Sequence, residues 1–159
     1  MKLRVGLGFD VHQLKAGREF WLGGIKLPSD KGADGHSDAD VLIHAICDAL
    51  LGAANMRDIG FHFANTDPRW KNKESKYFLM EVVRMIGEKG WRIQNIDCTI
   101  VLEQPKVNPH IQDMTRVLAN YCGIETEDIS IKATTNETLG YVGREEGVNA
   151  MAVALIGRE

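Results

Sequence analysis

The segment Val148 to Ile156 constrains the fold most strongly, because it is largely apolar on both of its alternating faces. Successive side chains of a β-strand point to opposite faces of the sheet. One face carries Val148 and three alanines, and the other carries Met151, Val153 and Leu155. Both faces are therefore expected to be buried, although one layer of helices covers only one face of a sheet. Either neighbouring subunits or a local covering within the chain would bury the second face, and we favour an oligomer.

Length and composition indicate an ordinary globular protein. The chain has 159 residues, 44% hydrophobic and 26% charged. A chain of about 150 residues buries roughly 68–70% of its unfolded surface, so a single domain over residues 1–159 is expected. The net charge of −3, with scattered Lys and Arg, argues against nucleic acid as a partner. The sequence contains no membrane-length apolar segment, no C-x-x-C pair and no signal peptide, which predicts a cytoplasmic protein.

Hydrophobic periodicity and turn residues predict a mixture of strands and helices. Strands are predicted over residues 2–10, 19–22, 25–27, 96–102, 129–133 and 148–156, and helices from Ser37 or Asp38 to Ala53, over 74–89 and over 108–123. Residues 28–37 and 55–73 are predicted to be loops. Strict βα repetition is absent, which favours an α+β fold in which helices lie on one face of a mixed β-sheet.

Asp10, His12 and His44 form a candidate metal site of two histidines and one carboxylate. As strand residues two apart, Asp10 and His12 project from the same face. Zinc binds such ligands tetrahedrally, and three protein ligands leave one position open, as in catalytic sites. Asp40 and Asp48 flank His44 at helical spacing and are candidate acceptors for its second ring nitrogen. The alternatives are unrelated histidines beside a solvated polar helix face, or the iron site of a non-haem oxygenase.

Three other segments suggest a phosphorylated ligand. His36 and Ser37 precede a predicted helix, whose free amide groups suit phosphate oxygens, although Ser37 is also a plain helix cap. Residues 134–137, Thr-Thr-Asn-Glu, follow a predicted strand and suit an anion, and Glu137 is a candidate magnesium ligand. Threonines at a strand end also occur without any function. The loop 104–109 contains two prolines, and its backbone either reads a planar base or merely connects a strand to a helix.

The motifs taken together are more specific than any one of them. The chain resembles the 2-C-methyl-D-erythritol 2,4-cyclodiphosphate synthase family of the non-mevalonate (MEP) isoprenoid pathway in the ordered series G-F-D-V-H, H-S-D-A-D-V-L-I-H-A, D-I-G-x-H-F, Q-P-K and K-A-T-T-N-E-x-L-G-Y-V-G-R-x-E-G. The likeness covers essentially the whole chain. It implies a metal-dependent phosphorus-oxygen lyase that converts 4-diphosphocytidyl-2-C-methyl-D-erythritol 2-phosphate into the cyclic diphosphate and CMP. It also implies a homotrimer with active sites between subunits.

The resemblance assigns the reacting end of the site. Asp10, His12 and His44 match the zinc ligands of the family, and Glu137 matches the ligand of Mg²⁺ (or Mn²⁺) that bridges the substrate phosphates. His36 and Ser37 match phosphate contacts that a flexible loop makes in the family. Thr134 and Thr135 match phosphate contacts that the adjoining subunit makes. His36 and Thr135 are counted with the metal ligands as catalytic residues.

The resemblance also assigns the groups that bind the rest of the substrate. Asp58 and Gly60 match the residues that hold the methylerythritol hydroxyls. The cytidine pocket corresponds to Pro105, Lys106, Val107, Asn108 and Ala133. Tyr141 and Arg144 are added as binding residues near the Gly-rich turn, and Arg144 matches a residue of the trimer's central cavity, where family members can bind isoprenoid diphosphates.

The chain departs from the family pattern at two places. Phe63-Ala64-Asn65-Thr66-Asp67 replaces a frequent F-P-D-T-D, so a proline and a carboxylate are lost, and Tyr141 replaces a frequent Phe. Contacts assigned to the first turn are therefore in doubt. Two other functions remain open on the sequence: a non-haem iron oxygenase, and a non-catalytic trimeric protein that binds nucleotides or isoprenoid diphosphates.

Overall fold

A five-stranded mixed β-sheet forms the framework of the computed structural model, which describes residues 1–35, 37–64, 66–70 and 73–159. The strands are β1 (Lys2–Ala16), β2 (Phe20–Leu22), β3 (Ile25–Leu27), β4 (Lys31–Ala33), β5 (Arg92–Val101), β6 (Ile129–Thr134) and β7 (Gly147–Arg158). The main sheet has the order β4-β1-β7-β5-β6, and β2 pairs with β3 in a separate hairpin. Only the β5–β6 pair of this sheet is parallel.

The α-helices of the described residues are α1 (Val41–Ala53), α2 (Ile59–His62), α3 (Ser75–Glu88), α4 (Ile111–Cys122) and α5 (Gly140–Gly143). The three long helices, α1, α3 and α4, form a layer on one face of the sheet. Helix α1 packs on β1 and β7, α3 packs on α1, and α4 packs on β6. This arrangement confirms the predicted α+β fold with a helical layer on one side of a mixed sheet. None of the described helices has the length and apolar character that crossing a membrane requires.

Two glycines of β1 allow α1 to lie directly on the sheet. A Cβ added at Gly8 would lie 1.8 Å from the carbonyl oxygen of Ala45, and one at Gly6 would lie 2.0 Å from that of Ala49. Because real Cβ atoms do not approach backbone so closely, any side chain here would push the helix away. Gly6 and Gly8 therefore let α1, which carries His44, lie directly on β1, which carries the other two candidate ligands.

A buried carboxylate, rather than the predicted Ser37 or Asp38, caps α1. The Asp40 side chain is fully buried and accepts a hydrogen bond from the Ile43 amide at 3.1 Å. It also accepts from the amides of Gly23 and Gly24 at 3.0 and 2.7 Å. Burial raises the pKa of Asp40, while the three N–H donors oppose that shift by stabilising the carboxylate. Asp40 therefore fixes both the start of α1 and the β2–β3 hairpin.

The predicted loops contain short regular elements that sequence periodicity does not reveal. The predicted loop 28–37 includes β4, which pairs with Leu14 to Ala16, and β1 therefore runs beyond its predicted end at residue 10. The predicted loop 55–73 includes α2 and a single turn of 3₁₀-helix, Pro68–Trp70. Likewise, the predicted third helix starts as a 3₁₀ turn, Asn108–His110, before α4. Elements of three or four residues are too short to show a period.

The second face of the sheet is apolar and exposed in the single chain. Its cross-strand pairs bring Val5 beside Leu155, Leu7 beside Val153 and Phe9 beside Met151. Leu7 is 70% exposed, whereas the alanines of β7 that face the helices are buried. A local covering of this face, one of the two predicted alternatives, is therefore not found over Leu7, Met151 and Val153, and burial by neighbouring subunits stays a prediction.

The seating of α1 predicts opposite effects for two Gly→Ala substitutions. Gly8→Ala should destabilise the protein by at least about 1–3 kcal/mol, because its methyl group overlaps α1 backbone. Gly52→Ala, in the same helix with open space around it, should instead stabilise it by about 0.5–1 kcal/mol. Urea unfolding of both variants measures the two effects. Equal stability of Gly8→Ala and the parent chain would contradict this account of the β1–α1 contact.

Candidate active site

Asp10, His12 and His44 converge as the sequence predicts. The Asp10 carboxylate oxygen Oδ2 lies 3.0 Å from His12 Nε2 and 3.0 Å from His44 Nδ1. The two ring nitrogens are 3.2 Å apart. Asp10 and His12 come from the helix-facing side of β1 and His44 from the first turn of α1, so the Gly8 contact sets the distance between the two parts of the cluster.

The cluster fits a tetrahedral cation. Metal–ligand distances of about 2.0–2.2 Å place tetrahedral ligand atoms roughly 3.3–3.6 Å apart, close to the separations found here. His12 Nδ1 lies 3.0 Å from the carbonyl oxygen of Asp34, to which it can only donate. In the neutral ring His12 Nε2 then carries a lone pair, which points at the other two ligand atoms. A bound cation would offset the repulsion between these electron-rich atoms.

The electrostatics of the cluster favour the charged carboxylate. Burial alone would raise the pKa of Asp10, but the adjacent His12 and His44 rings outweigh that effect and hold the pKa far below its ordinary value. Burial would likewise lower the pKa of His12, yet the Asp10 carboxylate raises it above 6.5. The Asp10 carboxylate therefore favours a positive charge at the position of His12.

The second ring nitrogen of His44 contacts a residue that the sequence analysis missed. His44 Nε2 lies 2.9 Å from Ser75 Oγ, at the first position of α3. The predicted acceptors are wrong: Asp40 caps α1, and Asp48 accepts a hydrogen bond from the Ile59 amide at 2.8 Å. Ser75 is separated from His44 by 31 residues, and only the packing of α3 on α1 brings them together.

A cavity of about 450 Å³ opens at the metal cluster. Its lining includes the three candidate ligands together with Ser37 and Gly60, as predicted, and the aromatic residues Phe63, Trp70 and Phe78. Asp58 lies beside Gly60 and caps α2 through the Phe61 amide at 3.2 Å. His36, the other predicted phosphate contact of this loop, lies outside the described residues. The cavity thus joins the metal cluster to the candidate sugar and phosphate contacts.

The departure from the F-P-D-T-D pattern lies next to this cavity. Phe63 packs on Trp70 and Phe78, with ring centroids 5.2 and 5.1 Å apart, respectively. The Ala64 carbonyl oxygen accepts the Asp67 amide at 2.9 Å, so the turn closes without a proline. Asp67 forms an ion pair with Arg69. Asn65 lies outside the described residues.

Thr135 and Glu137 form a second group, which Glu103 organises. The Glu103 carboxylate accepts hydrogen bonds from the amides of Asn136 at 2.8 Å and Thr138 at 3.3 Å. Glu137 and Thr138 have φ angles of 50° and 62°, in the left-handed region that is unfavourable for a β-branched residue. Thr135 Oγ1 accepts the Glu137 amide at 3.3 Å. Glu103 was not predicted from the sequence, and its place directly before the Q-P-K motif is the signal that could have indicated it.

The candidate cytidine loop lies beside this second group. Lys106 Nζ donates to the Glu103 carbonyl oxygen at 3.4 Å, and Val107 is buried, which anchors the loop between β5 and α4. The remaining candidates are spread over the loop and β6: Pro105 is half-buried, Asn108 is exposed, Ala133 is half-buried and Thr134 ends β6. Glu103 therefore connects the loop to the Thr-Thr-Asn-Glu segment.

The two groups do not share a cavity within one chain. Among the described residues, the lining of the metal cavity includes none of 105–108 and none of 133–137. Tyr141 and Arg144 are also absent from it: the Tyr141 hydroxyl accepts Asn149 Nδ2 at 2.8 Å, and Arg144 pairs with Glu146 at 3.0 Å. The structure thus brings the three candidate metal ligands together beside Ser37, and it leaves the predicted cytidine-binding residues apart from them.

Comparison with known proteins decides the family of this chain. The model of the YgbB family matches residues 3–157. The chain belongs to the YgbB family. A Cytophaga hutchinsonii relative named 2-C-methyl-D-erythritol 2,4-cyclodiphosphate synthase is 70% identical over 156 residues, which cover 98% of each chain. The family resemblance stated from the motifs is confirmed, and the iron oxygenase alternative gains no support.

Solved structures of the family agree with this fold. A 2C-methyl-D-erythritol-2,4-cyclodiphosphate synthase in a CDP-bound form matches with a TM-score of 0.90 and 36% identity, covering 97% of this chain and all of that one. The CDP complex of the Plasmodium falciparum IspF protein matches with a TM-score of 0.87 and 28% identity, covering 99% of this chain and 97% of that one. Members of the family therefore bind a cytidine diphosphate on this fold.

The raised pKa of His12 predicts how metal binding by the candidate cluster, with zinc as the test ion, would depend on pH. Metal binding requires neutral His12, so the apparent zinc affinity should be full above the His12 pKa and fall about tenfold per pH unit below it. Competition with a chromophoric chelator between pH 8 and 5 measures this slope. An affinity that stays constant between pH 6 and 5 would contradict the assignment of His12 as a ligand.

Proposed function

We propose that this chain, as a single cytoplasmic synthase domain, converts 4-diphosphocytidyl-2-C-methyl-D-erythritol 2-phosphate into 2-C-methyl-D-erythritol 2,4-cyclodiphosphate and CMP. An oxygen of the 2-phosphate forms a bond to the β-phosphorus, and the bond between that phosphorus and the bridging oxygen of CMP breaks. The bridging oxygen leaves with its electron pair as part of the CMP phosphate. Atoms balance without water, and the protein supplies no nucleophile.

The observation that carries this proposal is that the three candidate metal ligands line a cavity together with residues suited to phosphate and hydroxyl groups. Asp10, His12 and His44 supply three ligand atoms within 4.8 Å of one another, and the fourth direction is left to a ligand. The same cavity holds Ser37 and Gly60, which suits a ligand with phosphate and hydroxyl groups. The motifs of the family supply the identity of that ligand.

Zinc held by Asp10, His12 and His44 would act as a Lewis acid that polarises a β-phosphate oxygen. The chain's own residues have to fold a polyanion so that the attacking and leaving oxygens are in line with the phosphorus. Ser37, with His36, would contact the phosphates. Asp58 would accept hydrogen bonds from the methylerythritol hydroxyls beside Gly60, where the absence of a side chain lets the ligand approach the backbone.

The second group would bind the nucleotide end of the substrate. Glu137 would hold Mg²⁺, which prefers a few carboxylates together with substrate phosphates. Thr134 and Thr135 would donate to phosphate oxygens, and the backbone of the Pro105–Asn108 loop with Ala133 would contact the cytosine. Glu103 supports this assignment because it holds both segments in one arrangement before any substrate binds.

A homotrimer would complete the site. The metal cavity and the second group lie apart within one chain, so a neighbouring subunit has to bring its own second group to the metal cavity. The exposed apolar face of β1 and β7 supports association, because contiguous apolar patches of this kind mark interfaces. The number three follows from the family resemblance. Tyr141 and Arg144 would then lie near the central cavity of the trimer.

Removal of the shared carboxylate should abolish turnover. In phosphorus NMR with the diphosphocytidyl substrate, the parent protein should give CMP and the cyclic diphosphate in equal amounts. Asp10→Ala should lose bound zinc and at least about 100-fold in kcat, while Asp113→Ala, an exposed carboxylate on α4, should retain both. Uncyclised hydrolysis products, or undiminished CMP release by Asp10→Ala in metal-stripped buffer, would overturn the proposal. Intact substrate with the parent protein would favour a binding protein.

A charge on the exposed sheet face should prevent assembly. Leu7 lies centrally on that face, so Leu7→Glu should shift the mass in sedimentation equilibrium from a trimer to a monomer and abolish turnover. Met80→Glu, at an exposed apolar position of α3, is the matched control and should remain trimeric and active. A trimeric Leu7→Glu variant would show that the interface lies elsewhere.

A further inference from the structure

Ser75 connects a candidate metal ligand to the loop that precedes α1. Its side chain is fully buried, and Oγ lies 2.9 Å from His44 Nε2. The hydroxyl donates to Asp38 Oδ1, and the Ser75 backbone amide donates to Asp38 Oδ2 at 3.0 Å. Ser37 Oγ lies 3.4 Å from Ser75 Oγ. One hydroxyl thus touches the metal ligand, a carboxylate and a candidate phosphate contact.

The hydrogen-bonding capacity of this hydroxyl fixes the direction of each bond. A serine hydroxyl has one proton to donate and two lone pairs that accept. Asp38 is a carboxylate that only accepts, so the Ser75 proton points at Asp38. Both lone pairs then face donors, namely His44 Nε2–H and the Ser37 hydroxyl. With its proton on Nε2, neutral His44 presents a lone pair at Nδ1, which is the nitrogen 3.0 Å from Asp10.

We propose that Ser75 is the positioning residue that fixes the tautomer and ring orientation of His44 for zinc, and that it links this ligand to the Ser37–Asp38 segment. The proposal rests on the proposed zinc role of the cluster. Metal-bound histidines commonly donate their other N–H to an acceptor, and loss of that acceptor costs 10- to 100-fold in metal affinity. Here the acceptor is a hydroxyl polarised by a carboxylate.

The role of the Ser75 hydroxyl is separable from the start of α3. The backbone amide of Ser75 provides the contact that holds the start of the helix to Asp38, and this contact does not need the side chain. Glu74, the N-cap residue, makes no capping hydrogen bond with its side chain and forms an ion pair with Lys76. Ser75→Ala therefore removes the contact to His44, and Glu74→Ala perturbs the same helix start without touching the metal cluster.

The decisive measurement is zinc affinity without substrate, by chelator competition at pH 7.5. Ser75→Ala should bind zinc about 10- to 100-fold more weakly, whereas Glu74→Ala should match the parent protein and Ser75→Thr, which keeps a hydroxyl, should recover most of the loss. Nitrogen-15 NMR of the zinc-loaded protein gives a second readout. The His44 Nε2 proton should be protected from exchange in the parent protein and exchange faster in Ser75→Ala.

Each outcome bears on the proposal separately from the synthase activity. Parent-like zinc affinity in Ser75→Ala, or an equal loss in Glu74→Ala, would overturn the positioning role. If Ser75→Ala does not fold, Asp38→Asn serves instead, because it weakens the acceptor of the Ser75 proton while keeping the shape of the side chain, and unchanged zinc affinity there would also overturn it. Failure of the synthase proposal would show as absent cyclisation by the parent protein, with the zinc affinities unaffected.

Discussion

The contact between β1 and α1 at Gly6 and Gly8 is the constraint on which the site depends. With no Cβ at these positions, the carbonyl oxygens of Ala45 and Ala49 come directly onto the strand. The same face of β1 continues into Asp10 and His12, and α1 carries His44 one residue before Ala45. A metal cluster with ligand atoms about 3 Å apart tolerates little movement of either element. The close packing of the β1 and α1 backbones therefore brings candidate ligands from two separate sequence motifs together.

Two carboxylates before α1, Asp38 and Asp40, are separated by one residue and hold different elements. Asp40 turns inward, caps α1 and holds the β2–β3 hairpin through Gly23 and Gly24. Asp38 holds the start of α3 through both the amide and the hydroxyl of Ser75. Hydrogen bonds of Asp38 and Asp40 therefore connect the segment before α1 to α1 itself, to the β2–β3 hairpin and to α3. These hydrogen bonds give the candidate phosphate contact Ser37 a defined position relative to the candidate metal ligands, although the segment has no regular secondary structure.

The sequence predicted those parts of the protein that repeat a period or follow a motif. All strands except β4, the long helices and the Asp10, His12 and His44 cluster were predictable, because alternation, turn residues and ligand type are local properties. Ser75 and Glu103 were not, since each acts on residues about 31 to 35 positions away and neither residue type is distinctive. The sequence also could not show that Asp40, rather than Ser37 or Asp38, caps α1, because all three residue types are good N-caps. The amides of Gly23 and Gly24 donate to the Asp40 side chain and favour it as the cap.

The alternation of β1 explains why the protein would both bind a metal and associate. Its even positions, from Gly6 to His12, face α1 and build the metal cluster, while its odd positions place Leu7 and Phe9 on the exposed face. A single-residue shift in the pairing of β1 with β7 would exchange the two faces and destroy both features at once. The twelve paired positions between these strands therefore determine both which residues build the candidate metal cluster and which apolar residues are exposed. The apolar residues at the odd positions of β1 stand out in the sequence, but they lie on the exposed face. Helix α1 packs on the opposite face, where glycine at positions 6 and 8 allows close contact between the backbones.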